Sequence, residues 1–213
     1  MSERLVCLGD SITEGIGDNR NLGWPGRLGI YLSAKYPDTW HINNLGVAGD
    51  TSFSLYQRFL SEVLYRTPQR LIIAGGVNDT IRRFWPSGAA SKVDIDQSRE
   101  NWTFLLLQLK KAGIQTIFLS PLPVDEDKMP LIYLPFDNSD QGIRAYNSAI
   151  SSYNSMLKKL VVQHGFPYLD LFEKWQSSEY KTLLADGLHP NADGYDRLTK
   201  DITDYCESLE FFK

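Results

Sequence analysis

Residues 9–15 of the chain, with the sequence Gly-Asp-Ser-Ile-Thr-Glu-Gly, carry its strongest chemical signal. They directly follow an apolar run at 5–8 (Leu-Val-Cys-Leu), which is typical of a short buried strand. Such a strand ends at Gly9, so Ser11 is expected at its C-terminal end, where ligands bind in an open α/β sheet. A serine presented there is a nucleophile if a base lies within reach, and otherwise a turn residue or a helix N-cap.

Apolar runs alternate with amphipathic stretches along the rest of the chain, which is typical of βαβ units. The predicted strands lie at 5–8, 40–45, 70–74, 114–119 and 166–169. The predicted helices lie at 24–36, from 51 or 52 to about 63, and at 97–112, 142–164 and 191–210, with irregular segments at 80–96 and 121–140. We therefore expect a single α/β domain over residues 1–213, with five parallel strands between two layers of helices.

The composition limits the partners that we expect for this chain. The net charge is −4 and there is no basic block, so the electrostatic signature of a nucleic-acid binder is missing. No apolar run approaches membrane-spanning length and no signal peptide precedes the first strand, so we expect a cytoplasmic protein without membrane insertion. The two cysteines, Cys7 and Cys206, are expected to be reduced and buried.

Three further segments carry polar residues where a binding site would need them. Residues 43–46 (Asn-Asn-Leu-Gly) and 76–79 (Gly-Val-Asn-Asp) each come at the end of a predicted strand. Because parallel strands end at one edge of the sheet, we expect both segments to lie near Ser11. Residues 186–190 (Asp-Gly-Leu-His-Pro) form a turn-rich loop late in the chain.

Of the three histidines, His189 is the one that we expect to act on Ser11. His41 lies inside a predicted strand, and His164 ends a helix, where a histidine is a favourable C-terminal residue. Asp186 stands three residues before His189, so in a turn its carboxylate can reach the imidazole Nδ1–H while the other nitrogen faces the serine. The alternatives are an Asx-turn with a helix-flanking histidine, and a metal pair, which no other histidine or clustered carboxylate completes.

Acyl transfer also requires donors for the oxyanion of a tetrahedral intermediate. The sequence offers the backbone N–H groups of Ser11 and Gly46 and the side-chain amide of Asn78. Gly46 has no Cβ and so permits a close approach of the backbone. For Asn78 the alternative is an ordinary turn residue.

This ordered set of motifs resembles the SGNH hydrolases, also called GDSL-type esterases and lipases. The resemblance runs from residue 9 to residue 190, although isoleucine replaces leucine in the first motif. It implies a flavodoxin-like three-layer αβα sandwich and a serine esterase that forms an acyl-enzyme intermediate. The implied roles are nucleophile for Ser11, base for His189, orienting carboxylate for Asp186, and oxyanion hole for Ser11, Gly46 and Asn78.

The resemblance implies a lysophospholipid, an acyl thioester or an acetylated sugar as substrate. Contacts to it are expected from loops at the C-terminal edge of the sheet. The candidate residues, several of which would otherwise simply cover the core, are Asp10, Trp24, Phe84, Trp85, Tyr133 and Phe136.

Other function classes lack support in the sequence. There is no P-loop, no Gly-x-Gly-x-x-Gly, no His-Glu-x-x-His and no Gly-x-Ser-x-Gly, so we expect neither a cofactor nor a metal. The alternative function is a non-catalytic module on a flavodoxin-like fold that binds a flavin or a phosphorylated ligand. That alternative predicts that Ser11 and His189 point apart.

Overall fold

The computed structural model describes residues 3–85, 88–91, 93–129, 131 and 142–213, with the backbone alone at 83–85 and 88–91. Its strands are β1 (Glu3–Gly9), β2 (Trp40–Gly46), β3 (Arg70–Ala74), β4 (Arg82–Trp85), β5 (Gly88–Ser91), β6 (Gln115–Leu119), β7 (Ile143–Arg144) and β8 (Tyr168–Leu169). Its α-helices are α1 (Ser11–Glu14), α2 (Gly23–Lys35), α3 (Ser52–Arg58), α4 (Val77–Thr80), α5 (Ile95–Ala112), α6 (Asn147–Gln163), α7 (Leu171–Gln176) and α8 (Ala192–Ser208).

The main sheet has the five parallel strands that the sequence predicts, and their order is β2-β1-β3-β6-β8. β1 lies between β2 and β3, and its last residue, Gly9, is in register with Gly46 on one side and Ala74 on the other. The loops that follow these three strands therefore begin side by side. This register brings the first three polar segments to one edge of the sheet.

Helices cover both faces of this sheet, which explains why residues 5–8 of β1 are continuously apolar. Leu5 and Cys7 pack against α2 and α8, whereas Val6 and Leu8 pack against α3, α5 and α6. All four side chains are fully buried. Cys7 and Cys206 are both free and buried.

A second sheet has three strands in the order β5-β4-β7, of which β4 and β5 lie in the segment predicted to be irregular and β7 lies in the predicted helix. Its strands are only four, four and two residues long, too short for an alternating pattern to stand out. β7 pairs with β4, so the helix predicted to begin at 142 begins at Asn147 instead. Ile143 packs against an apolar cluster that includes Val77 and Leu188. This cluster connects the small sheet to the polar segments 76–79 and 186–190.

Among the helices in the described ranges, none combines the length and the apolar character needed to cross a bilayer.

Candidate active site

Ser11 is the first residue of α1 and lies directly above the end of β1. Asp10 is the N-cap, with an Oδ1 that accepts a hydrogen bond of 3.0 Å from the backbone N–H of Ile12. Gly15, with φ of 109°, ends the helix after a single turn. A Cβ at Gly9 would lie 2.5 Å from the carbonyl oxygen of Ala74, so the tight turn from β1 into α1 requires glycine.

Ser11, His189 and Asp186 form a continuous chain of hydrogen bonds. The Oγ of Ser11 lies 2.9 Å from Nε2 of His189, and Nδ1 of His189 lies 2.7 Å from Oδ2 of Asp186. A carboxylate only accepts, so Nδ1 carries the hydrogen and Nε2 accepts from the serine hydroxyl. Both Ser11 and His189 are buried. The geometry does not fit the alternative in which the serine and the histidine point apart.

The Asp186 carboxylate is fixed by the backbone as well as by the imidazole. Its Oδ1 accepts from the N–H groups of Leu188, at 2.9 Å, and His189, at 2.8 Å. Burial alone would raise the pKa of Asp186, but these bonds and the one from the ring outweigh it and lower the pKa to about 2. The carboxylate is therefore ionised at neutral pH and can stabilise an imidazolium.

Asn78 is the second residue of α4, which begins directly after a glycine that the packing requires. Gly76 has φ of 112°, and a Cβ there would lie 2.4 Å from the ring of Tyr153. The Nδ2 of Asn78 donates to the carbonyl oxygen of Asp50 at 2.9 Å. An asparagine amide has two N–H bonds, so a second one is available to another acceptor.

Gly46 does not fit its predicted role as an oxyanion donor. Its N–H donates to Oδ1 of Asn44 at 2.9 Å. A Cβ at Gly46 would lie 2.0 Å from the backbone nitrogen of Glu14, so this glycine permits β2 to pack against the backbone of α1. Position 46 therefore does require glycine, because the glycine lets β2 pack closely against the helix that carries Ser11.

Gly49, which lies in the loop after β2 and has φ of 82°, was not among the predicted site residues. Its neighbour Asp50 provides the carbonyl that accepts from Asn78. A side chain of α1 also fastens this loop, because Oε2 of Glu14 accepts from the N–H of Ala48 at 2.6 Å. The signal in the sequence was a second glycine between the strand and Thr51, the N-cap of α3.

The carboxylate of Asp79 was also missed, and it fixes the helix that carries Asn78. Its Oδ2 accepts from the N–H of Ser52 at 3.0 Å, and its Oδ1 from the hydroxyls of Ser52 at 2.5 Å and Ser98 at 2.7 Å. Asn101 donates in turn to the Ser52 hydroxyl at 3.0 Å. These bonds hold α4 against α3 and α5.

Arg58 connects the strand ends to the loop after β2. Its Nη2 donates to the carbonyl oxygens of Gly9, at 3.0 Å, and Leu45, at 2.5 Å, and its Nε donates to Oδ2 of Asp50 at 2.6 Å. A single guanidinium thus fixes the ends of β1 and β2 and the loop that follows β2. Nothing in the local sequence pattern identified this residue.

Of the six predicted substrate contacts, the structure describes the side chains of Trp24 and Asp10, and both are buried. Trp24 is fully buried in the core cluster between the main sheet, α2 and α8, so it cannot contact a substrate there. Asp10 is buried and acts as a helix cap. The side chains of Phe84 and Trp85 lie outside the described part of β4, and Tyr133 and Phe136 lie outside the described residues altogether.

Asp10 makes stability depend on pH. Burial raises the pKa of this carboxyl from its usual 3.8 to about 6. Between about pH 4 and 6 the folded protein holds a proton that the unfolded chain has released, so the free energy of unfolding falls as pH rises through this window. One pKa unit corresponds to about 1.4 kcal/mol, so the loss by pH 8 is about 3 kcal/mol.

Asn at position 10 keeps the cap oxygen without the charge. The free energy of unfolding of Asp10→Asn should not fall in this way. As pH rises from 4 to 8, we therefore expect it to increase by about 3 kcal/mol relative to that of the wild type. Urea denaturation across that range measures the difference. A difference that stays constant with pH would show that Asp10 is not the titrating group.

Comparisons with known proteins agree with this arrangement. The model of the GDSL-like Lipase/Acylhydrolase family matches residues 7–197. Thioesterase 1/protease 1/lysophospholipase L1 of Escherichia coli is 24% identical over 192 residues, which cover 90% of this chain and 77% of that protein. An acetylxylan esterase of Geobacillus stearothermophilus is 24% identical over 208 residues, covering 91% and 89%.

The fold is likewise shared with a solved structure. The crystal structure of the acetyl xylan esterase AlAXEase superposes with a TM-score of 0.75 at 21% identity, over 95% of this chain and 98% of that one. The family model spans the chain from β1 into α8 and so includes all four polar segments. The chain therefore belongs to the GDSL-like lipase/acylhydrolase family, the SGNH hydrolases, and is an esterase of that family.

Proposed function

We propose that this esterase cleaves esters of small to medium acyl groups through an acyl-enzyme intermediate on Ser11. The observation that carries the proposal is the 2.9 Å contact between Oγ of Ser11 and Nε2 of His189, whose Nδ1 is held by Asp186. A serine hydroxyl is a weak nucleophile until a base accepts its proton. In this site the base is in hydrogen-bond contact with it.

The first half of the reaction acylates Ser11. Its Oγ attacks the carbonyl carbon of the ester while Nε2 of His189 takes the hydroxyl proton, and Asp186 stabilises the resulting imidazolium. The tetrahedral intermediate collapses when the C–O bond to the leaving alcohol breaks. His189 gives its proton to that alcohol, which departs.

The second half returns the enzyme to its starting state. A water molecule attacks the acyl carbon and gives a proton to His189, the bond to Oγ breaks, and the proton returns to Ser11. In both halves the oxyanion needs donors. We assign this role to the backbone N–H of Ser11 and the second amide N–H of Asn78.

The relatives support three classes of substrate. The Escherichia coli relative is named as a thioesterase and lysophospholipase, and the Geobacillus relative as an acetylxylan esterase. We therefore propose an acyl thioester, a lysophospholipid or an acetylated sugar as the substrate. All three present an acyl carbonyl to Ser11 and differ only in the leaving group and the acyl chain.

Covalent labelling tests the nucleophile independently of the substrate. We expect a fluorophosphonate to modify Ser11, because the reagent requires an activated hydroxyl, and we expect no modification in Ser11→Ala. Peptide mass spectrometry locates the label, and Ser151→Ala, a matched change of an exposed serine on α6, should label normally. Labelling that persists in Ser11→Ala would refute the assignment. Hydrolysis of nitrophenyl esters of increasing chain length, acyl-CoA and acetylated xylo-oligosaccharides then separates the substrate classes.

A further inference from the structure

The loop at 15–23, which joins α1 to α2, has an exposed outer side and packs on its inner side against the segment that carries the catalytic histidine. It closes on itself, because a Cβ at Gly15 would lie 3.1 Å from Cα of Gly23. Its contacts connect it to the two elements that carry Ser11 and His189.

The carboxylate of Asp18 fills the centre of this loop. Its Oδ1 accepts from the N–H of Arg20 at 3.1 Å, and its Oδ2 from the N–H groups of Leu22, at 3.0 Å, and Gly23, at 2.9 Å. Both oxygens also accept from the guanidinium of Arg27, at 2.5 and 3.1 Å. The loop is therefore folded around one buried, fully bonded carboxylate.

The same guanidinium connects the loop to α8, the helix that follows His189. Nε of Arg27 donates to Oδ1 of Asp196 at 2.6 Å, and Nη2 donates to the carbonyl oxygen of Ala192 at 3.3 Å. Arg27 holds the pKa of Asp18 well below its usual range, so this ion pair persists at neutral pH. Asp18, Arg27 and the start of α8 thus form one rigid unit.

Gly17 brings this unit into contact with the base. A Cβ at Gly17 would lie 2.6 Å from the carbonyl oxygen of Pro190 and 3.1 Å from Cβ of His189. On the other side, the hydroxyl of Tyr195 in α8 donates to the carbonyl oxygens of Ile12, at 3.1 Å, and Ile16, at 2.8 Å. The loop therefore lies against the imidazole-bearing segment and is bonded to the serine-bearing helix.

We propose that the 15–23 loop is a positioning element for the general base. The Asp18–Arg27 ion pair fixes its shape, and Gly17 supports His189 from behind, so that Nε2 stays within 2.9 Å of the Ser11 hydroxyl. This inference rests on the proposed function of Ser11 and His189. A misplacement of a catalytic group by about 1 Å can lower the rate about a hundredfold. We therefore expect a change at Gly17 that shifts His189 to lower kcat.

The test compares alanine at Gly17 with alanine at Gly113. Both glycines have a positive φ, 89° and 66°, and both are exposed, but a Cβ at Gly113 meets nothing within 4 Å. We expect Gly17→Ala to lower kcat for nitrophenyl acetate by about ten- to a hundredfold with KM unchanged, because the base is displaced and the substrate site is not. Gly113→Ala should leave both constants within about twofold.

A second readout does not depend on turnover. The chain has three histidines, so the imidazole nitrogens of a ¹⁵N-histidine-labelled protein can be followed individually by NMR. We expect the His189 resonances to move in Gly17→Ala and to stay in place in Gly113→Ala. If the wild type hydrolysed no ester and reacted with no fluorophosphonate, a selective shift would still support the contact, and the proposed function would be the part refuted.

Two results would overturn the proposal. The first is a kcat for Gly17→Ala within about twofold of that for Gly113→Ala. The second is a His189 resonance that does not move. Should Gly17→Ala fail to fold, Arg27→Lys replaces it, since lysine keeps the charge but cannot bond Asp18, Asp196 and Ala192 together. That variant should show the same loss of kcat at constant KM and the same shift, and the absence of both would equally refute the loop's role.

Discussion

Replacement of His189 by alanine is expected to lower kcat for ester hydrolysis by about 10⁶-fold, the loss found when the base of a serine-hydrolase triad is removed. The hydroxyl of Ser11 then has no acceptor for its proton, because Nε2 of His189 is the partner that the structure gives it. KM should change little, since the imidazole contributes to the transition state more than to substrate binding. Steady-state kinetics with a nitrophenyl ester measures both constants.

The other two histidines provide controls for this variant. His41 is exposed on β2, and His164 ends α6, where its Nδ1 contacts the carbonyl oxygen of Leu160 at 2.9 Å. We expect His41→Ala and His164→Ala to keep nearly full activity. Because the groups of a triad act as a unit, Ser11→Ala combined with His189→Ala should be no slower than either single variant. A His189→Ala enzyme that kept more than about a hundredth of the activity would exclude the imidazole as the base.

The convergence of the polar segments could be predicted because it depends on topology alone. Once 5–8, 40–45 and 70–74 are parallel neighbours, the residues that follow them meet at one edge, as the register of Gly9 with Gly46 and Ala74 shows. The pairing of Asp186 with His189 could also be predicted, because the two residues are close in sequence. Three residues of spacing in a turn sufficed to place the carboxylate on Nδ1, at 2.7 Å.

The predictions that failed depended on contacts that no local pattern contains. Gly46 and Gly49 both follow a predicted strand, and only the packing of α1 shows that Gly46 faces the backbone of Glu14. The sequence allowed Trp24 to line a pocket, but α2 packs against the sheet and buries this side chain. The small sheet escaped notice because its strands are short and because β7 pairs with a strand distant in sequence, Arg82 with Arg144 for example.

Arg27 is another residue whose contacts no local sequence pattern contains. Its removal should produce the largest loss of stability. We expect Arg27→Ala to lower the free energy of unfolding by about 3–5 kcal/mol, the usual cost of leaving one charge of a buried pair without its partner. The side chain of Asp18 is fully buried and would keep its three backbone N–H donors but lose both bonds from the guanidinium. Chemical denaturation at neutral pH measures the loss. It is a large share of the roughly 5–15 kcal/mol that stabilises a typical protein.

A second substitution separates the unpaired charge from the lost packing. In Asp18→Asn combined with Arg27→Ala the buried charge is gone, while the amide oxygen can still accept from Leu22 and Gly23, as Oδ2 of Asp18 does. We therefore expect the double variant to be more stable than Arg27→Ala by about 1–3 kcal/mol, even though it carries one more substitution. Exposed Arg20, which pairs with Asp196 at 2.9 Å, is the matched control, and Arg20→Ala should cost less than about 1 kcal/mol. If the double variant were less stable than Arg27→Ala, the loss would arise from the missing bonds to Asp196 and Ala192 instead, and the buried charge of Asp18 would not be its cause.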